Sequence, residues 1–272
     1  MNINRIVRIF FSPTHTTKKV IDAITNGLGI NNHKTINLNR LEKRRNFYYK
    51  ARPGEALILG IPVYEERIPD LLYPVLAKLN GQGQPMIVVT NYGNICAGIA
   101  LKQLYKMMKK QGFKIIAAAH FIGEHSFSSE DIKVAAGRPD KEDLSKATLL
   151  GQQIKEKMSQ FNDSIDLPEL SIHGKLLLMG KVLPKHSENI FTYPPKLIIS
   201  QCHYCLKCLK ACPVNAINPE NLTTRDRLCI RCFACVKFCP HNARKIMYKK
   251  PILVKTVLKN KGQKRQEPEI FI

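Results

Sequence analysis

The chain has 272 residues, 44% of them hydrophobic, which gives room for a buried core and for more than one domain. Its 43 Lys+Arg against 21 Asp+Glu leave a formal charge of +22, the signature of a protein that meets an anionic partner: nucleic acid, an anionic membrane surface or an acidic protein. The opening "MNINRIVRIFF" is too short an apolar run for a secretory signal, and no stretch approaches the roughly 20 apolar residues of a membrane helix. A cytoplasmic protein with no membrane span is expected.

In chain order, residues 3–11 read as a first strand, followed by "FSPTHTTKK", which sets Ser12, Thr14, Thr16 and Thr17 with His15 in a turn before a helix over 17–28. Ser and Thr are ordinary turn and cap residues. At the end of a strand and in front of a helix, though, hydroxyls and orphan amides also make a phosphate site. Strands follow over 34–38, 55–63, 85–91 and 114–122, with helices over 69–79, 97–111 and 140–160. Five buried strands separated by helices predict an α/β, doubly wound parallel sheet covered on both faces.

Ligands of such sheets sit beyond the carboxyl ends of the strands, where strand order reverses. The loop after the third strand brings Pro62, Val63, Tyr64 and Arg67 to that edge, and the loop after the fourth brings Asn91, Tyr92, Gly93 and Asn94. Aromatics and amides above a phosphate site suit a flat ring with polar edges. Glu124, His125 and Ser126 follow the fifth strand at the same edge, where His125 reads as a structural histidine or as a proton donor to a bound ring. Cys96 reads as a small packed residue.

Residues 161–195, with Pro168, Pro184, Pro194 and Pro195, read as a connector in which "KLLLMGKVL" is a docking segment or a lid. Beyond it lie eight of the nine cysteines, in two runs of the form C-x2-C-x2-C-x3-C-P: Cys202, Cys205, Cys208, Cys212 and Cys229, Cys232, Cys235, Cys239. This is the pattern of a two-cluster bacterial ferredoxin, whose fourth cysteine ligates the other cluster. Three thiolates two residues apart wrap three corners of a cubane, and the fourth faces away. One [4Fe-4S] is therefore expected on Cys202, Cys205, Cys208 and Cys239, and a second on Cys229, Cys232, Cys235 and Cys212. Structural zinc, the alternative, has no use for a third cysteine at this spacing or for the Cys-Pro that follows. "CPVNAI" and "CPHNAR" mark an internal repeat of about 27 residues. Tyr204 is expected to pack on a cluster, and His203 and His241 to be polar surface residues. The last stretch is basic; "PILVKTVLK" is apolar enough to add a strand or a short helix, and otherwise the segment is an arm.

Taken together, "FSPTHTTKK", "GIPVYEERIP", "TNYGN", "EHSF", "AAGRPDKEDL" and the two cysteine runs resemble proteins that fuse a flavodoxin-like domain to a two-[4Fe-4S] ferredoxin. The resemblance implies a five-stranded flavodoxin-like domain over 1–160, a connector over 161–195, a small α+β ferredoxin domain over 196–250 and a basic tail over 251–272. It implies FMN, with Ser12, Thr14, His15, Thr16 and Thr17 at the phosphate and Pro62, Val63, Tyr64, Asn91, Tyr92, Gly93 and Asn94 around the ring. His15 stands where such loops usually have glycine, and Glu65, Glu66 and Ile95 stand where similar proteins often have Gly and Arg. The function expected is electron transfer between the clusters and FMN, exchanging with an acidic redox protein such as a ferredoxin or flavodoxin. The alternative is an FMN-dependent reductase of a small molecule. A nucleic-acid-binding or redox-sensing role lacks a recognisable motif, so no nucleic acid is expected. With clusters and FMN counted at about −2 each, +22 falls to roughly +16, still strongly basic.

Overall fold

The computed structural model describes residues 3–159, 168–182 and 187–272. Residues 160–167 and 183–186, which take in the end of the helix expected to 160, the start of the connector and Pro184, lie outside the described residues.

Five apolar runs become strands β1 (Arg5–Phe10), β2 (His33–Asn37), β3 (Glu55–Pro62), β4 (Pro85–Tyr92) and β5 (Lys114–Ile122). They pair in parallel in the order β2-β1-β3-β4-β5, the flavodoxin-like order, with Arg5–Phe10 opposite Glu55–Gly60. Alternation gives β1, β3, β4 and β5 two buried faces, whereas β2, expected to be buried as well, is an edge strand whose polar run HKTIN leaves only Ile36 packed on the core. Val7, Ile9, Leu57, Leu59 and Val88 pack with Leu101, Leu104 and Met108 of α2 (Ala100–Lys110). On the other face, Ile6, Phe10, Ile58 and Val89 pack with α1 (Thr16–Leu28) and α3 (Lys141–Ser159). Those two helices touch at Gly151, where a Cβ would come within 2.2 Å of the Ile24 carbonyl oxygen. The helix expected over 69–79 is shorter: a tight turn at Asp70–Leu72 and a single turn at Tyr73–Leu76. Leu79–Asn80 then pairs with Tyr49–Lys50 in a separate two-stranded ribbon.

The sheet gains a sixth strand that the sequence reading did not include. The basic tail forms α4 (Pro251–Gly262) and β6 (Glu269–Phe271), and β6 pairs antiparallel with β5, Glu269 opposite His120. Two forces bring it back. Val254 and Leu258, one turn apart, bury against Ile132 and Val134. The otherwise open edge of β5 offers unpaired backbone groups, which β6 satisfies. Asn94 fastens the return: its Nδ2 donates to the carbonyls of Gly262 and Lys264, both at 2.9 Å, and its Oδ1 accepts from the Gln266 amide at 3.1 Å. Arg138, paired with buried Asp143, donates to the Gln266 carbonyl at 2.6 Å. No described helix is long and apolar enough to cross a membrane.

The cysteine-rich unit is closed by an antiparallel pair, Lys196–Leu197 with Arg244–Lys245. Its 27-residue repeat is visible in the backbone. Left-handed residues recur at matching positions, Tyr204 with Arg231, Leu206 with Phe233, and Asn215 with Asn242. The Ala216 amide donates to Cys212 Sγ and the Ala243 amide to Cys239 Sγ, both at 3.2 Å. This unit sits on the carboxyl edge of the large sheet. There Arg44 donates to the Pro213 carbonyl, Lys237 pairs with Glu124 and donates to the Ser128 carbonyl at 2.7 Å, and the Phe127 and Phe233 rings meet edge to face at 5.5 Å.

Candidate functional site

The turn after β1 is built by its own polar groups. The His15 amide bonds the Ser12 carbonyl at 3.1 Å, and His15 takes a left-handed conformation with φ +66°. Asn39 clamps Ser12 from both sides, its Oδ1 accepting the Ser12 amide at 2.7 Å and its Nδ2 donating to the Ser12 carbonyl at 2.9 Å. Ser12 Oγ accepts the Lys18 amide at 3.1 Å, so it caps α1 and keeps its own proton to donate. In front of this turn lies a cavity of about 70 Å³, room for a group of a few heavy atoms and not for a ring system. Two atoms of residues bordering it, Thr17 Oγ1 and Asn91 Oδ1, are buried without a hydrogen-bond partner. Such an orphan costs about 1–3 kcal/mol. A phosphate accepting from the threonine and a ring N–H donating to the asparagine remove both costs, so the residues fit FMN.

A second cavity of about 410 Å³ meets the first at Val63, Tyr64, His125 and Ser126. Its walls include Ile68, Ile95, Phe127, Phe191 and Leu258, drawn from the sheet loops, the connector and α4. Tyr64 and Arg67 exchange backbone hydrogen bonds at 3.1 and 2.9 Å, closing a two-residue turn that forces Glu65 and Glu66 to φ +50° and +66°. Left-handed angles of this kind suit glycine better than glutamate. Here the glutamates compensate by latching the connector. Glu66 accepts the Leu177 amide at 2.6 Å; Glu65 accepts the Ser187 hydroxyl at 2.6 Å and the Glu188 amide at 3.1 Å; Arg67 donates to the Gly180 carbonyl at 2.8 Å. Burial, and then the hydrogen bond to Glu65, push the Glu188 carboxyl up to about 8. The stretch expected as a docking segment or lid thus lies against the larger cavity.

His125 borders both cavities. Its Nδ1 accepts the Phe127 amide at 3.0 Å, which leaves the proton on Nε2. Burial, and then Lys237, lower its pKa to about 4. The ring is a neutral hydrogen-bond donor rather than an imidazolium acid at neutral pH.

Of the residues expected at a cofactor, Ser12, Thr14, Thr16 and Thr17 come together with Pro62, Val63 and Tyr64 and with Asn91, Tyr92 and Gly93 around the smaller cavity. His15 and Asn94 border neither cavity. The His15 ring turns outward and packs on Phe238 at 4.7 Å, with its pKa lowered by burial and then by Lys18 and Lys19. The Asn94 amide is taken up by the C-terminal return. Gly123, which the sequence reading passed over, completes the crevice: a Cβ there would lie 2.6 Å from Asn91 Nδ2. Also missed were Ile230 and Arg231, which reach the larger cavity from between two cysteines of the second run, while Cys232 itself borders the smaller one. No local signal in the sequence marks that contact.

None of the nine cysteines, all of them among the described residues, forms a disulfide. Cys208 and Cys235 are buried in one apolar cluster with Ile217 and Leu222, against which Cys202 and Cys212 pack. Burial pushes the Cys232 thiol well up, and neighbouring Cys235, Cys212 and Cys229 push the same way; Cys235 is pushed up to about 12 for the same first reason. Cysteines of both runs thus share one apolar cluster. Thiols so placed form thiolates only against a strong positive centre such as an iron core. Among the described residues, no group of three or more His, Cys, Asp or Glu side chains is placed to hold a single metal ion.

Residues 195–240 match the family model of a 4Fe-4S dicluster domain. No curated protein matches the chain. Among solved structures, the chain is similar to an archaeal flavodoxin, at 18% identity over 57% of this chain and 99% of that one, TM-score 0.40. It is also similar to a Fusobacterium nucleatum flavodoxin bound to flavin mononucleotide, at 20% identity over 58% and 99%, TM-score 0.38. A third is an oxidoreductase from Corynebacterium diphtheriae, at 12% identity over 60% and 100%, TM-score 0.42. The flavodoxin-like character of the first unit rests on its strand order, and the ferredoxin-like character of the second on its cysteine runs and the dicluster match.

Proposed function

We propose that this flavodoxin-like and ferredoxin fusion is an iron-sulfur flavoprotein that passes electrons between two [4Fe-4S] clusters and one FMN, exchanging them with an acidic redox protein. One cluster is held by Cys202, Cys205, Cys208 and Cys239, the other by Cys229, Cys232, Cys235 and Cys212. When bound, the clusters pass single electrons and the flavin collects one or two with protons. The observation that carries the reading is Cys232: it borders the phosphate-sized cavity while its neighbours Ile230 and Arg231 border the ring-sized one. The ligand loop of the second cluster is thereby a wall of the flavin crevice. The chain's residues do the rest. The α1 amides, Thr14, Thr16 and Thr17 grip the phosphate; Asn91 takes a ring N–H; His125 donates from Nε2; Phe127, Ile95 and the latched connector exclude water. Glu188, its carboxyl pKa pushed up by burial and by the hydrogen bond to Glu65, lines the larger cavity.

The alternative, FMN reducing a second bound molecule, needs more space. A cavity of about 410 Å³ has the volume of a site for one ligand of flavin size, which favours electron carriage. The test is protein prepared without oxygen, with iron, sulfide and flavin counted per chain. Eight irons and one FMN are expected, with the flavin band bleaching as reduced clusters reoxidise. Iron without flavin overturns the reading.

A further inference from the structure

The two halves of the 27-residue repeat match in backbone and differ in what covers them. In the second run the two left-handed residues are shut in against the flavodoxin-like unit, Arg231 at 2% exposure and Phe233 at 1%. In the first run the matching Tyr204 and Leu206 are 59% and 40% exposed, and Cys205 is exposed as well. Ile199, 58% exposed, extends this apolar face, and the stacked rings of His203 and His241, 3.9 Å apart, border it. Charge completes the picture: residues 196–212 hold Lys196, Lys207 and Lys210 and no Asp or Glu.

We infer that this face is the docking port for the external redox partner, an acidic iron-sulfur protein, and that the first-run cluster is the one that exchanges with it. The inference rests on the electron-transfer reading above and adds which end of the molecule faces outward. An exposed apolar patch rimmed by polar groups marks an interaction surface. The lysines choose the sign of its occupant, because a positive rim draws an acidic protein and turns away a basic one. The geometry explains the asymmetry of the repeat: the second loop is covered because it seals the crevice, and the first is bare because its cover comes and goes. Cys202, Cys205, Cys208 and Cys239 would hold the exchanging cluster, and one electron would pass between it and the partner's iron centre, one being oxidised as the other is reduced, with no bond or proton moving.

The test uses the full chain with its clusters and, as probe, an oxidised, acidic plant-type [2Fe-2S] ferredoxin, with binding read by calorimetry at low and high salt. Three variants are compared. Lys207→Glu with Lys210→Glu reverses the rim. Tyr204→Asn with Leu206→Asn removes the apolar contact while keeping residues that tolerate a left-handed backbone. Lys102→Glu with Lys106→Glu makes the same charge change on exposed positions of α2. Binding at low salt is expected to weaken at least tenfold in the first, several-fold in the second and less than twofold in the third, with salt abolishing the difference for the first. Equal losses in the first and third variants mean that the whole field attracts the probe, and the port is refuted. Wild-type affinity in both port variants, or no binding by a protein with full iron content, refutes it too. Because binding of oxidised protein is read, a chain that holds clusters but no flavin and still loses affinity in the port variants keeps the port and discards the electron-transfer reading.

Discussion

Replacing Thr17 by Val tests the phosphate site by sign as well as by size. Thr17 is fully buried, borders the smaller cavity, and its Oγ1 has no partner. In flavin-free protein the hydroxyl pays only desolvation, so the near-isosteric valine should stabilise the fold by about 1 kcal/mol. Its Tm should then rise by roughly 2–4 °C. With FMN bound, the same hydroxyl donates to a charged oxygen, an interaction worth about 1.5–3 kcal/mol. Its loss should raise the FMN Kd by roughly 10- to 150-fold. The assay is thermal unfolding of the flavin-free chain beside fluorescence titration of FMN into it. A higher Tm with unchanged FMN affinity would mean that the hydroxyl faces no ligand, and the phosphate assignment would fall.

Three further outcomes follow from the same geometry. His15→Val puts a β-branched residue at φ +66°, at a cost of about 1–2 kcal/mol, and should weaken FMN binding by roughly tenfold or more in the same titration, whereas His15→Gly should leave it within a few-fold. His120, 2% exposed with Nδ1 against Thr90 Oγ1 at 2.6 Å, has its pKa lowered by burial to about 4. The unfolded chain takes up that proton near pH 6.5 and the folded chain does not, so its contribution is complete above pH 6.5 and is lost as pH falls toward 4. The loss is about 3 kcal/mol, and denaturant titrations across that window should flatten in His120→Gln. Arg138→Met leaves Asp143, 0% exposed, with only the more distant Arg265 guanidinium at 3.7 Å in place of its bidentate partner, and frees the Gln266 carbonyl. It should cost about 3–5 kcal/mol of stability by urea denaturation, and a loss under 1 kcal/mol would contradict the buried pairing.

The sequence by itself determined the parts whose logic is local. Cysteine spacing alone marks residues 195–240 as a 4Fe-4S dicluster domain, because each run is contiguous in the chain. Continuous apolar runs such as "ALILGIP" dictate strands buried on both faces. A hydroxyl-rich turn between strand and helix puts Ser12, Thr14, Thr16 and Thr17 at one cavity at the carboxyl edge of the sheet. Only tertiary structure decided the rest, because it depends on groups far apart in the chain. Arg44 meets the Pro213 carbonyl across 169 positions, and Lys237 meets Glu124 across 113. Neither pairing leaves a mark in either neighbourhood, yet together they seat the cysteine unit over the crevice. The same holds for the tail. Its lysines read as a solvated arm, but Asn94 and the bare edge of β5 supply the partners that fold it back as a sixth strand. His15 is the sharpest case. Its left-handed backbone belongs to the phosphate turn, while its ring belongs to Phe238 in the other unit, a contact that periodicity and spacing carry no information about.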